Sequence, residues 1–317
     1  MTICKICNEN FENDKSFHAH LKKHNLYQAE YYCTHFPRYS LHYKRQIPFK
    51  NKKDYFSTEF LDLKEFIEWE KTQNTETVKH KCLEMVRDRI SEKNYTYAPF
   101  HNELKTLQLP PISIIKKHFG SYNTFCKCLD KEPLFNKNIV KDFNSIDLSN
   151  SELLIDTREQ DPLEFKRSRV EKIFIGDYLL ADKYTNTFVD RKSEGDFLGT
   201  LASGVERFER EIQKAVDLQA YLFVVIESSI NNIKYNHKKF NRKTNLEYVF
   251  HNMRHLSHKY SRHVQFVFTG SRERSLDIIP KILYHGKDLW QVDLQYFLDN
   301  ELGIRKSKSQ EIEINLK

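Results

Sequence analysis

The sequence predicts an α/β protein: a mixed sheet flanked by helices over residues 151–300, preceded by a small metal-stabilised module and a helical region. Three observations predict it. Strand-length apolar runs alternate with helix-length amphipathic stretches across 151–300, the pattern of a sheet covered by helices. Near the N-terminus, cysteines and histidines recur at the spacing of a tetrahedral metal site. Stretches of helical period fill 76–133. At 317 residues, 39% hydrophobic and 13% aromatic, the chain can bury a core and is expected to form two or three domains.

The totals narrow the function classes. A net charge of +7 and a pI near 8.9 favour a polyanionic partner, mildly. No run approaches the roughly 18 apolar residues of a membrane span, and MTICKIC is not a signal peptide. Six cysteines, two of them in a C-x-x-C, fit a metal site in a reducing compartment better than a disulfide framework. Abundant Lys, Asn, Phe and Tyr suggest an A/T-rich coding genome. The expected location is therefore the cytoplasm of a bacterial or phage-infected cell, with the nucleus as the alternative.

Residues 1–26 contain Cys4-x2-Cys7, a gap of twelve residues, then His20-x3-His24. Phe11 and Phe17 occupy the apolar positions beneath such a site. This is similar to a two-Cys two-His zinc finger, which implies Zn2+ held by those four residues and a module unfolded without it. His18 lies off the ligand spacing and is expected to be exposed. By analogy with the finger family, Asn13, Ser16 and Ala19 would face bases. One finger covers only about 3 base pairs, so Lys15, Lys22 and Lys23 are the expected phosphate contacts. A structural or protein-binding finger is the other reading.

Residues 27–75 interleave aromatic and basic side chains, with Pro37 and Pro48 as breakers. They read either as a stacking and phosphate-gripping surface or as a small domain with an aromatic core; the two are compatible. A short amphipathic helix is expected over 60–71, and Cys33 is expected to be buried. Residues 76–135 read as a helical DNA-binding region, with helices near 78–92, 112–119 and 123–129. PPISIIKKHFGSYNTFCKCL resembles the repeat found beside homing endonuclease domains, which implies DNA contacts at Lys116 and Lys117. Cys126 and Cys128 read as packing residues. Residues 136–150 read as a linker and 301–317 as a flexible tail.

Across 151–300, strands are expected at 153–156, 173–176, 187–192, 221–226 and 264–268. Helices are expected near 163–171, 204–218, 245–259, 272–284 and 293–300. Residues 178–180 read as a hairpin partner for 187–192. That hairpin would bring Asp177 close to Asp190. Asp190 and Lys192 are two apart on a strand and so share a face. Two carboxylates and an ammonium suit metal-assisted phosphodiester cleavage. The carboxylates hold a hard cation, Mg2+ or Mn2+, which lowers the pKa of a bound water; the lysine orients that water or stabilises developing charge. Residues 231–243 read as a basic loop beyond a core strand, with Lys238 and Lys239 clamping DNA.

The order Gly176-Asp177, a gap, then Asp190-Arg191-Lys192 and Asp196 resembles the signature of the XPF/Hef nucleases, within the PD-(D/E)XK restriction-like group. Asp190 stands where that family usually carries Glu. Leu154-Ile155-Asp156-Thr157-Arg158-Glu159 is similar to the family's opening strand and D-x-R-E turn, FLGTLASGVERFEREIQ (197–213) to its next helix, and LFVVIE (222–227) to its next core strand. The resemblance spans about residues 152–300. It implies a restriction-endonuclease-like fold and Asp156 and Glu159 completing the acidic cluster. It also implies Arg191 in a structural or phosphate role with its carbonyl facing the metal, Glu227 at or beside the metal, and Arg207 as a phosphate contact.

The function this predicts is a Mg2+-dependent DNA endonuclease, laid out like the free-standing homing endonucleases of phages. A homodimer is the expected route to double-strand cutting. Two alternatives stand beside it. One is a structure-specific repair nuclease for flaps, forks or junctions, although no helix-hairpin-helix signature follows the domain. The other is a DNA-binding regulator with an inactive nuclease core.

Overall fold

The computed structural model describes residues 2–240 and 244–302. The described residues form two compact units: residues 2–85 with 108–110, and residues 86–107 with those described from 111 to 302.

The first unit opens with a hairpin, β1 (Thr2–Ile3) and β2 (Asn10–Phe11), followed by α1 (Asp14–His20), α2 (Gln28–His35), α3 (Lys52–Ser57) and α4 (Leu63–Lys71). α1, α3 and α4 begin at side-chain caps from Asn13, Asn51 and Asp62, each satisfying an otherwise orphaned N–H. One core joins residues 2–24 to the aromatic segment behind them: Cys4, Phe17, Leu21, Tyr31, Tyr32, Ile47 and Tyr55 are buried together. The division at residue 26 is therefore not a packing boundary; Tyr31, Tyr32, Tyr55 and Phe60 serve as core, while Tyr27, Tyr39 and Phe56 are exposed. His18 is half-buried rather than exposed, with its Nε2 3.1 Å from the Tyr32 hydroxyl. Cys33 is half-buried. Glu65 is fully buried; its carboxylate accepts the N–H groups of Leu61, Tyr43 and His42. Burial pushes its pKa up, but those hydrogen bonds outweigh that and hold it below the ordinary value.

α5 (Thr75–Lys93) begins in the first unit and ends in the second. The second unit continues through β3 (Tyr97–Ala98), α6 (His101–Thr106), α7 (Ile112–Phe119), α8 (Tyr122–Cys128) and β4 (Glu132–Pro133), which pairs parallel with β3. Cys126 is buried as expected, whereas Cys128 is exposed. Residues 136–150 are not a free linker. Phe143 is fully buried, Ile139 and Val140 pack beside it, and the Lys137 N–H donates to the Gln291 carbonyl. Sparse apolar residues at irregular spacing hid that role.

The α/β domain comes next: β5 (Leu153–Asp156), β6 (Ser168–Glu171), β7 (Tyr178–Leu180), β8 (Thr187–Lys192), α9 (Glu194–Ala202), α10 (Val205–Asp217), β9 (Tyr221–Ile226), α11 (Ile230–Phe240), α12 (Leu246–Lys259), β10 (Val264–Phe268), α13 (Arg272–His285) and α14 (Leu294–Asn300). The sheet order is β10-β9-β8-β7-β5-β6. β8, β9 and β10 are parallel, β7 runs antiparallel to both β8 and β5, and β6 is parallel to β5. This is the mixed, helix-flanked sheet expected of a restriction-endonuclease-like fold. Residues of α9, α10, α11 and α12 bury one face; residues of α13 and α14, with Phe143, bury the other. β9 is buried at every position, as a central parallel strand should be.

Four local expectations fail, each for a physical reason. The helix expected at 163–171 is instead the edge strand β6. All four of its residues are exposed, so pairing with β5 leaves no alternation to read. The strand expected at 173–176 is irregular: Ile173 and Ile175 are buried, but Gly176 turns the chain at φ 66. The expected helix across 197–213 is two helices, with Gly204 at the N-cap of the second. The expected loop at 231–243 is largely α11, anchored by buried Ile230 and Ile233; residues 241–243, like 303–317 of the expected tail, lie outside the described residues.

Candidate active site

The site begins with Gly176. A Cβ there would lie 2.7 Å from the Val189 carbonyl oxygen, and the positive φ favours glycine as well. The close approach lets the Asp177 N–H donate to that carbonyl over 2.7 Å, while the Asp177 carbonyl accepts the Asp156 N–H over 2.8 Å. β7 and β8 pair Tyr178 with Val189, and one step back along that register places Asp177 beside Asp190. One Asp177 carboxylate oxygen accepts the Arg191 N–H over 2.7 Å.

Along β8 the side chains alternate. Phe188 enters the core beneath α9–α12 and Val189 the opposite core. Asp190 and Lys192 share the side of Phe188. The Lys192 ammonium lies 3.0 Å from an Asp190 carboxylate oxygen and 5.0 Å from the centre of the Phe208 ring on α10. Asp190 is 7% exposed. Burial lowers the Lys192 pKa, but the fields of Asp190 and Asp177 outweigh it and raise the net value; the side chain is an ammonium at neutral pH. Asp177 is driven the other way: burial first, then the like charge of Asp190, push its pKa up to about 8. Two carboxylates crowded in this way fit a bound divalent cation, whose charge would relieve the repulsion.

Arg191 points to the opposite face. Its guanidinium bridges Glu159 at 3.1 Å and Glu227 at 2.9 Å and donates to the Asp161 carbonyl over 2.7 Å. Arg272 on α13 also reaches Asp161. Burial would lower the Arg191 pKa, but the hydrogen bonds to Glu159 and Glu227 raise it. Glu159 and Glu227 are thus held by arginine, while the charge of Glu159 still bears on Asp177. Asp156 is also engaged elsewhere. It is 1% exposed, pairs with Arg158, and accepts the Ile173 N–H. Burial raises its pKa, but these partners together lower it. Asp177 and Asp190 are the acids set side by side, and Asp156 and Glu159 stand next to them engaged by Arg158 and Arg191.

Two further neighbours come from α10, where Glu211 reads from sequence as a solvated side chain. Phe208 carries the Lys192 ammonium, and Glu211, also on α10, accepts the Gly176 N–H at 3.4 Å. Their helical spacing marks a face of α10, but nothing in it indicates which strand that face covers. Asp196 accepts from Ser193, the N-cap of α9. Arg207 is exposed on α10, beside a shallow groove it shares with Asp196 and Gly199. Lys238 and Lys239 are exposed on α11, not on a loop. Lys116 and Lys117 lie on α7, and Lys116 donates to the Tyr296 hydroxyl over 2.8 Å.

In the first unit, the ligand atoms of Cys4, Cys7, His20 and His24 all lie within 4.8 Å of one another. The Cys7 sulfur is 3.2 Å from His20 Nε2 and the Cys4 sulfur 3.6 Å from His24 Nε2. Two thiols and two imidazoles converging on one point suit a tetrahedral soft-to-borderline metal. Glu9 stands 3.4 Å from His20 Nδ1 without hydrogen-bonding it. Lys15, Lys22 and Lys23 are exposed around this module. Among the described residues no helix is long and apolar enough to cross a membrane.

No protein-family model matches the chain, and no curated protein matches it. Among solved structures it is similar to XPF from Aeropyrum pernix in complex with DNA, at 17% identity and a TM-score of 0.33, covering 42% of this chain and 63% of that one. A second structure, XPF from Aeropyrum pernix, gives 16% identity and a TM-score of 0.32, covering 43% of this chain and 61% of that one. The chain covers less than two thirds of each.

Proposed function

We propose that the protein is a metal-dependent endonuclease that hydrolyses phosphodiester bonds in DNA. The observation that carries the reading is the trio on one face of the β7–β8 hairpin: Asp177 beside Asp190, with the Lys192 ammonium 3.0 Å from Asp190. Asp177 and Asp190 hold Mg2+ or Mn2+, whose bound form supplies a polarised phosphate and a more acidic water. The N–H and C=O of a strand residue leave on the same edge. The Arg191 carbonyl therefore faces the Asp177 side with its N–H, as a third oxygen for the site. Because Lys192 is charged, it works by stabilising developing negative charge and orienting the attacking water, not by taking a proton. Asp156, Glu159 and Arg191 position this hairpin.

The Cys4, Cys7, His20 and His24 set holds Zn2+ as a structural ion. Lys15, Lys22 and Lys23 then grip DNA backbone, with Lys116, Lys117, Arg207, Lys238 and Lys239 adding contacts along the chain. DNA-binding pieces strung before a nuclease domain fit a homing-type enzyme that acts at chosen sites, with double-strand cutting through a homodimer. Supercoiled plasmid and a synthetic fork, each with Mg2+ supplied or omitted, test this reading. Mg2+-dependent discrete plasmid products support homing. Preference for the fork assigns the same chemistry to a structure-selective nuclease. DNA retarded on a gel but never cut, in any divalent metal, would leave only a binding protein.

A further inference from the structure

Arg254 lies on α12 and is 6% exposed. Its only hydrogen bond among the described residues runs from an η nitrogen to the Thr106 hydroxyl at 3.0 Å, and its Nε is buried without a partner. It has no ion pair among the described residues. A buried guanidinium ordinarily finds a carboxylate, yet the acid whose field bears on it most is already taken. That acid, Glu103, is fully buried on α6 and accepts from Arg89 at 2.9 Å and His258 at 2.7 Å. Asp299 is held by Lys105 and His101. Glu247 acts on Arg254 through its field.

The surroundings add positive charge. Lys234, on α11, spends its ammonium on the Lys105 carbonyl at 2.7 Å. The charges bearing on Lys234 are the cations Lys105 and Arg254. Arg89 presses on Arg254 from α5, and His251 stands among Lys93, Arg254, His255 and Arg89. Burial and Arg89 together pull even the Arg254 guanidinium down to about 10. Arg89, Lys93 and Lys105 have acids of their own, Glu92 serving the first two at 4.0 and 3.5 Å; Arg254 and Lys234 have none among the described residues, and the component their pairing lacks is an anion.

We propose that α5, α6, α11 and α12 build an anion seat around Arg254 and Lys234, and that it takes a backbone phosphate of bound DNA. The assignment to DNA rests on the nuclease reading; the need for an anion does not. A guanidinium fork matches phosphate oxygens, and the seat uses none of the residues at Asp177, Asp190 or Lys192.

The test is duplex binding by anisotropy at several salt concentrations, without Mg2+, using the full zinc-loaded chain and its Arg254→Met and Lys234→Gln variants. The expected result is roughly tenfold weaker binding in each variant. Removing one phosphate partner should also flatten the log–log salt slope by about 0.9. Arg254→Met should melt no lower than wild type, since it removes an unpaired buried charge. Unchanged affinity and slope in both variants would overturn the proposal. So would inorganic phosphate raising the melting temperature of wild type but not of Arg254→Met while DNA binding stayed the same, which would make this a free-phosphate site. Lys234 is exposed, so its variant decides the question if Arg254→Met fails to fold. Failure of the nuclease reading appears separately, as absent cutting by wild type.

Discussion

The Lys192 ammonium sits 3.0 Å from the Asp190 carboxylate, and both leave β8 on the face that looks towards α10. Lysine and acid are therefore set as a charged pair before any substrate arrives. Lys192→Met should keep the fold and DNA binding while cutting falls by about a hundredfold or more, the scale of losing one electrostatic stabiliser. Single-turnover cleavage beside gel retardation reads both. Loss confined to DNA affinity would instead make Lys192 a binding residue.

Asp177 links pH to stability. Unfolded, its carboxyl titrates near 3.8; folded, burial and Asp190 hold it protonated up to about 8. Between those values the folded chain binds more protons than the unfolded one, so this group's contribution weakens as pH rises through the window. Without divalent metal, Asp177→Asn should melt higher than wild type at pH 8 and match it near pH 4. Mg2+ should narrow the gap by stabilising only wild type, with affinity rising up to about pH 8. Melting curves that track together at both pH values would contradict this.

Arg191 ties β8 to the Asp156–Glu159 turn and to the end of β9, through Glu159 and Glu227. Arg191→Met strands nearly buried Glu159 and leaves Glu227, among the described residues, only Arg272 at 3.7 Å, and unfolding by urea should show a loss of about 3 kcal/mol. Gly176→Ala strikes the same hairpin differently. Its Cβ would press on the Val189 carbonyl, and the cost of roughly 1–3 kcal/mol should come with impaired cutting, because Asp177 is displaced. An unchanged melting temperature in the alanine variant would show that the hairpin absorbs the added methyl without strain.

Residues 2–24 and the aromatic segment share one core, so a metal held by Cys4, Cys7, His20 and His24 should support more than residues 2–24. Cys7→Ala, or zinc removal, should expose Tyr31, Tyr32 and Tyr55 and abolish their slow amide exchange. Loss of protection limited to α1 would show that the segment folds independently.

Some of this was legible in the sequence. The core strands β5, β8, β9 and β10 carry apolar runs, and Gly176-Asp177 with Asp190-Arg191-Lys192 marked the hairpin, because strand periodicity is local. The edge strand β6 was not legible, since Ser168–Glu171 buries nothing. Nor was the fate of the acids. Asp156, Glu159 and Glu227 read as cluster members, but whether a carboxylate meets a metal or an arginine depends on which neighbour the fold brings. Here Arg158 and Arg191 arrive first. Arg254 carried no signal either, because an unpaired buried cation is defined by what its tertiary surroundings lack.

The most direct test of the central claim is nicking of supercoiled DNA in Mg2+ by wild type and by Asp190→Asn, with folding of both checked by circular dichroism. The predicted result is Mg2+-dependent cutting by wild type and its loss, by about a thousandfold or more, in a variant that still folds and binds DNA. Equal cutting by the two proteins would show that the paired acids of this hairpin are not the catalytic centre.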